Sequence, residues 1–355
     1  MQASSLRGRW MRLLCFCATL WLPGQIGSDF SVPKQKYSSN SSSTGSKRSG
    51  QTPLSIAREK SGQAFRSKVA DNYFYKLSRQ EGMLLRDISG ASERRDWGSV
   101  QSVLGSYNGT AEPIYAAGIH AALRCGKYQE GALFYDHCKE RLKITHMPVF
   151  VAALKIFGKC REPERVREVW HDALGAGDLD QNLALARMSA AADEGDVTTS
   201  AEVMDRMIES NVSLNVVHVT CAIRSCWGRG KAQHRAAKYF FDLMPELGIQ
   251  PNVITFSSLM RTYTTASLKD ILAAYEEMKR LRVEPNNVFA ETYLIAVFQG
   301  IQVPRSPGQI AEVLRDMEVD RLRAARDALK DFEEARVRLG FMSIKISKAL
   351  KLLSF

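Results

Sequence analysis

Cysteine is scarce in this chain, with seven among 355 residues. Cys15 and Cys17 lie in a short apolar run near the start, which leaves Cys125, Cys138, Cys160, Cys221 and Cys226. An odd number at irregular spacing provides no disulfide framework. Cys221 and Cys226 lack a second pair at zinc-finger spacing, and His218 and His234 do not complete a ligand set. Residues five apart do not face one another on a helix, so the cysteines read as small packing residues. The Gly-x4-Gly-Lys-Ser/Thr loop, His-Glu-x-x-His and Gly-x-Ser-x-Gly are all missing. No enzymatic constellation, metal site or cofactor site is therefore expected. The apolar run Leu13–Leu22 has ten residues, well short of the roughly 20 that a spanning helix needs.

Acidic residues are nearly absent from one segment only. Residues 1–70 hold eleven Lys and Arg, from Arg7 to Lys68, against Asp29 and Glu59. That segment carries +9 of the net +11 and leaves +2 for the remaining 285 residues. The high overall charge therefore says little about an anionic partner of the body. Arg7, Arg9 and Arg12 precede the apolar run, and Gly24, Gly27 and Ser28 follow it. This outlines a secretory signal peptide over 1–28. Residues 29–70 are rich in Ser, Gly, Lys and Arg without apolar periodicity, as in a transit peptide. Together they resemble the two-part leader of plastids reached through the secretory system. Asp29-Phe30-Ser31-Val32-Pro33 resembles the phenylalanine-containing junction of such leaders. A plastid is the expected location, with a mitochondrion as the alternative, and a membrane is not expected as a partner of the mature form.

What the body does have is a period. Pro251-Asn252 opens a stretch that Pro285-Asn286 closes 34 residues later. Within it, Val253 to about Thr264 is apolar and hydroxylated. Leu268 to about Leu281 carries Leu272, Tyr275, Met278 and Leu281 at helical spacing. Two helices in a period in the mid-thirties predict an α-solenoid, because one such pair cannot bury its apolar face without neighbours. The neighbours lie upstream: units 112–146, 147–180, 181–215 and 216–252 precede 253–286. Cys138, Met207, Met244 and Met278 share one register in the second helices, and Phe134, Val203, Phe240 and Ala274 lie one turn earlier. Gly126, Gly195 and Gly230 mark the breaks between the two helices.

The ends of the array are irregular. Residues 71–111 read as one or two helices, a degenerate repeat or N-terminal cap. Residues 287–355 begin with a partial unit that has Glu291 at its fifth place, followed by an interruption at Pro304. Gln309 to Arg338 predicts one amphipathic capping helix with Leu314, Met317, Leu322, Leu329, Phe332 and Val337 on one side. After Gly340, Ile344, Ile346 and Leu350 alternate with Lys345, Lys348 and Lys351. That tail reads as a terminal packing helix, with RNA phosphate or a membrane surface as alternative contacts.

Pro-Asn followed by Val-Ile-Thr-Phe-Ser-Ser-Leu-Met, then Tyr-Glu-Glu-Met-Lys and Val-Glu-Pro-Asn, resembles the pentatricopeptide repeat. This is the RNA-reading repeat of organelles. Units 216–252 and 253–286 match well, and the three before them match in length and helix pattern. The resemblance implies a right-handed α-solenoid of two-helix repeats, all-α, with degenerate helical caps. It also implies that the first helices form the reading surface, with the fifth and last residues of a unit meeting one base and the second stacking on it. In this chain those places hold Val217, Thr220 and Asn252, then Ile254, Ser257 and Asn286. By the same resemblance, Thr or Ser with Asn favours adenine at both repeats. The other pairs are weaker: Ala116 with His146, Val151 with Asp180, and Leu185 with Asn215. Ala, Val and Leu cannot hydrogen-bond a base edge. The zinc deaminase tail of some members needs His-x-Glu and Cys-x-x-Cys, and the chain after Asn286 contains neither His nor Cys. The expected role is single-stranded RNA binding in organelle RNA processing, stability or translation, by occupying RNA or recruiting an RNA-processing enzyme. A protein-interaction scaffold of the same architecture is the alternative.

Overall fold

The computed structural model describes residues 77–228, 231–299 and 307–353. The leader expected over 1–70 lies outside the described residues. Sixteen α-helices account for most of what is described. A first pair, α1 (Arg79–Glu93) and α2 (Trp97–Gly105), precedes five regular pairs. These are α3 (Glu112–Cys125) with α4 (Tyr128–Arg141), α5 (Met147–Cys160) with α6 (Pro163–Ala176), and α7 (Gln181–Glu194) with α8 (Val197–Glu209). After them come α9 (Val216–Ser225) with α10 (His234–Glu246) and α11 (Val253–Thr262) with α12 (Leu268–Arg280). A sixth first helix, α13 (Asn287–Val297), is followed by α14 (Pro307–Arg315), α15 (Val319–Glu334) and α16 (Phe341–Leu352).

Local chemistry sets these boundaries. The residue that closes one unit caps the first helix of the next: Asp180, Asn215, Asn252 and Asn286 each accept backbone N–H bonds from the turn that follows. Helices α3 and α5 instead begin with Pro113 and Pro148 in the first turn, where a missing N–H costs nothing. Gly126 and Gly195 end α3 and α7 in the left-handed conformation, both with φ 72°. Second helices end alike at Asn211, Gly248 and Arg282, all with positive φ. The next residue then bonds back: the N–H of Val212, Ile249 and Val283 donates to the carbonyl of Met207, Met244 and Met278.

Packing explains the periodicity. The first helices touch in series from α3 to α13, and each second helix packs on its own first helix and on the next unit's. Cys138, Met207, Met244 and Met278 are fully buried between these layers. The apolar core is continuous along the array, because Trp170 and Leu179 pack against both of its larger clusters. The pair α1–α2 covers the first unit with Ile88, Val100 and Leu104 against Ile114 and Ala121. The chain is an all-α solenoid.

Two details differ from the sequence reading. The capping helix expected over 309–338 is two helices, broken between Arg315 and Val319, and its second part ends at Glu334. Glu318 is extended at the break. Leu314 and Leu322, on either side of the break, are both buried in the apolar core. The first helix of unit 216–252 also ends before the break expected near Gly230, a residue that lies outside the described residues. Helix α9 stops at Ser225, and Trp227–Gly228 (β1) pairs antiparallel with Lys231–Ala232 (β2). This unit has 37 residues, and the hairpin takes up the extra length.

Candidate nucleic-acid interface

Successive first helices present one edge of the stack, and the second-place residues line it. Val217, Ile254 and Val288 are 48%, 61% and 52% exposed. Large apolar side chains at the same register of three consecutive helices are left in water while their neighbours are buried. Val288, in the partial unit, extends the line by one place that the sequence reading did not include.

The fifth-place hydroxyls sit below that line, and their bonding fixes their polarity. Thr220 and Ser257 are both buried. Asn252 Oδ1 accepts from the N–H of Ile254 and Thr255, each at 3.0 Å. The Thr255 hydroxyl donates to the same oxygen at 3.2 Å, and it accepts the Asn252 N–H at 3.3 Å. Thr255 Oγ1 and Thr220 Oγ1 are hydrogen-bonded to each other at 2.9 Å, and either can be the donor. Where Thr255 donates to Asn252, Thr220 is the donor of that bond and keeps lone pairs to accept with. Asn252 Oδ1 is thereby committed to the first turn of α11. The fifth and last residues of unit 216–252 are thus joined through Thr255, a link that spacing alone did not reveal. In unit 253–286 the Ser257 hydroxyl donates to the Val253 carbonyl at 2.7 Å, and Asn286 Oδ1 accepts from Phe289 at 2.9 Å. Phe289 has no hydroxyl, so the bridge is not repeated there.

The weaker pairs are placed differently. Ala116 and His146 are buried, and the Glu112 carboxylate accepts the N–H of Thr145 and of His146 at 2.9 and 2.7 Å. Burial holds the His146 imidazole below its usual range. Val151 and Leu185 are half-buried. Asp180 accepts from Leu183 N–H at 2.7 Å, and Asn215 from Val217 N–H at 2.9 Å. Among the described residues, no group of His, Cys, Asp and Glu is arranged to hold a metal ion, and no helix is long and apolar enough to cross a membrane.

Stacked helix pairs with capped first helices define a helical-repeat protein. Residues 202–266 match the family model of the pentatricopeptide repeat domain. A chloroplastic pentatricopeptide repeat-containing protein of Arabidopsis thaliana is 20% identical over 152 residues, spanning 42% of this chain and 30% of that one. The crystal structure of the pentatricopeptide repeat protein PPR10 in complex with an 18-nt psaJ RNA element superposes with a TM-score of 0.53 at 15% identity. That match covers 79% of this chain and 42% of PPR10, and a cysteine-substituted form bound to the same element gives the same values. The chain thus spans less than half the length of these relatives.

Proposed function

We propose that this chain binds single-stranded RNA along its first-helix edge and reads one base at each of units 216–252 and 253–286. The observation that carries the reading is the Thr220–Thr255–Asn252 network. With Thr255 donating to Asn252, the network would leave Thr220 as an accepting hydroxyl beside the Asn252 amide, near the exposed side chains of Val217 and Ile254. An accepting hydroxyl set against the exocyclic position of a base takes the amine of adenine and repels the carbonyl of guanine or uracil. The amide then donates to the adjacent ring nitrogen. Cytosine offers the same pattern, and the larger purine covers more of the aliphatic surface, which favours adenine. Splayed, unstacked bases offer these edges only in single-stranded RNA. PPR10 in its RNA complex has a similar fold. The role is in organelle RNA processing, stability or translation, exerted by occupying RNA or recruiting an enzyme. The chloroplastic relative favours a plastid over a mitochondrion.

A protein-scaffold reading draws on one observation: the apolar fifth places Ala116, Val151 and Leu185 offer no group to a base edge. One experiment separates the two. The full chain is incubated with a pool of short single-stranded RNAs at two salt concentrations, beside a Thr220→Val/Ser257→Ala variant. The +9 leader segment is common to both proteins, so only their difference is read. Enrichment of adenine at two neighbouring positions, reduced roughly fivefold or more per base in the variant, supports base reading. Binding that ignores sequence and substitution and vanishes with salt leaves the scaffold reading.

A further inference from the structure

The hairpin of unit 216–252 interrupts an otherwise regular array, and three units cooperate to hold it. A Cβ on Gly195, in the preceding unit, would lie 2.6 Å from the Gly228 Cα. Two backbones can meet this closely only where both residues are glycine. The contact seats β1 against the turn that follows α7. Trp227 is thereby presented at the surface, 41% exposed. The Arg261 guanidinium, from the following unit, lies 3.7 Å from the centre of its ring. An arginine stacked on an aromatic face keeps its planar fork of N–H donors free at the edge.

Three cations share one place in their units, with Ser189 at that place in unit 181–215. Lys155, Arg224 and Arg261 are each the ninth residue of their units. Arg224 and Arg261 lie one helical turn beyond Thr220 and Ser257 on the same faces. Among the described residues none of the three has a carboxylate within ion-pair distance. Elsewhere, Lys139 pairs with Glu168 and Asp172, Lys159 with Asp193, and Lys279 with Asp331. Burial holds Arg261 and Lys155 below their usual ranges, and the nearby charge of Arg224 lowers Arg261 further. Cations gathered without a counter-charge are stabilised by an arriving anion. Arg224 and Arg261, one unit apart beside Thr220 and Ser257, fit a ligand whose charges also repeat.

We propose that Arg224 and Arg261, with Arg261 held by Trp227, form a subsite for the phosphodiester backbone of single-stranded nucleic acid, and that Lys155 continues the same edge. The subsite rests on the RNA-binding reading and adds to it a backbone contact that positions the strand without reading sequence. The full chain is titrated at several salt concentrations with an adenine-containing RNA, an adenine-free RNA and an abasic sugar-phosphate oligomer of equal length. In Arg224→Gln/Arg261→Gln, the slope of log K against log salt falls by about 1.4, roughly 0.7 for each single-strand phosphate that is no longer neutralised. Affinity drops by the same factor for both RNAs and for the abasic oligomer. Arg224→Lys/Arg261→Lys restores the slope, which a folding defect would not allow. An unchanged slope and unchanged abasic binding in the Gln variant overturn the subsite. Displacement of the abasic oligomer by inorganic phosphate at matched ionic strength also overturns it, in favour of a free-phosphate site. Loss of abasic binding in the Gln variant without any adenine preference in the parent keeps the subsite and removes base reading. Adenine preference with an unchanged slope does the reverse.

Discussion

Gly248, Asn211 and Arg282 occupy one left-handed position at the ends of three second helices, and only one of them is glycine. A Cβ on Gly248 would meet nothing within 4 Å, so backbone strain alone decides a substitution there. Gly248→Ala is expected to destabilise the protein by about 1 kcal/mol. Arg282→Gly is expected to stabilise it by a few tenths of that, part of the relief being offset by glycine's greater unfolded-state freedom. Urea unfolding of the two variants checks both signs. Cysteine reactivity is set at the same scale. Burial pushes the Cys138 thiol up to about 12 and raises Cys221 as well, so both stay protonated and shielded. Alkylation of the native protein, followed by peptide mass mapping, should label half-buried Cys125 well before Cys138, Cys221 or Cys226. Early labelling of Cys138 would contradict its place in the core.

Helix α9 shows how an element depends on a protonation state. His218 Nδ1 accepts the Asn215 N–H at 3.3 Å, completing a capping box, and Nε2 donates to the Gln181 carbonyl at 3.1 Å. Only the neutral ring with its hydrogen on Nε2 makes both bonds. Burial lowers the pKa of His218, against the bond to Gln181 that raises it. The unfolded chain takes up the proton near 6.5, before the folded one does. The His218 contribution is therefore complete above about pH 6.5 and is lost as pH falls below that towards the depressed folded value. His120, His146 and His234 are shifted in the same direction by burial, and add to the effect. Thermal unfolding at pH 7 and pH 5 should show a drop that His218→Gln, which keeps a donor and an acceptor, partly flattens. An identical drop in the variant would place the pH sensitivity elsewhere. The unit boundaries were legible in sequence because the Pro-Asn period and the apolar spacing are local. The split of the C-terminal cap was not, because it depends on tertiary packing that buries both Leu314 and Leu322.

Across the whole molecule, contacts pass only between neighbours, so damage should stay local. The C-terminal end tests this. Arg321 is buried and donates from Nη1 to the Val297 carbonyl at 2.7 Å, closing the end of α13. Phe332 joins Tyr275, Phe289 and Tyr293 in one aromatic cluster, while Asp331 accepts from the Tyr275 hydroxyl at 3.2 Å and pairs with Lys279. Arg321→Leu keeps apolar bulk and leaves a buried carbonyl unpaired, at a cost of about 1–3 kcal/mol. Hydrogen exchange should quicken in α13 and α15 and stay unchanged from α3 to α7. Uniform quickening along the chain would mean that the array unfolds as one cooperative body.

The amino-acid sequence by itself determined the period, the helix pairs, the capping residues and the register of the buried methionines. Each of these follows from interactions within one unit or from the spacing of apolar side chains. Tertiary structure decided what no single unit contains. Thr255 of one unit joins Thr220 and Asn252 of the preceding one. Gly195 and Gly228 meet across two units, and Arg261 finds Trp227 across the next boundary. Thr220 and Thr255, Gly195 and Gly228, and Trp227 and Arg261 lie far apart in sequence. They become neighbours only when stacking buries the apolar faces and brings the edges of successive first helices side by side.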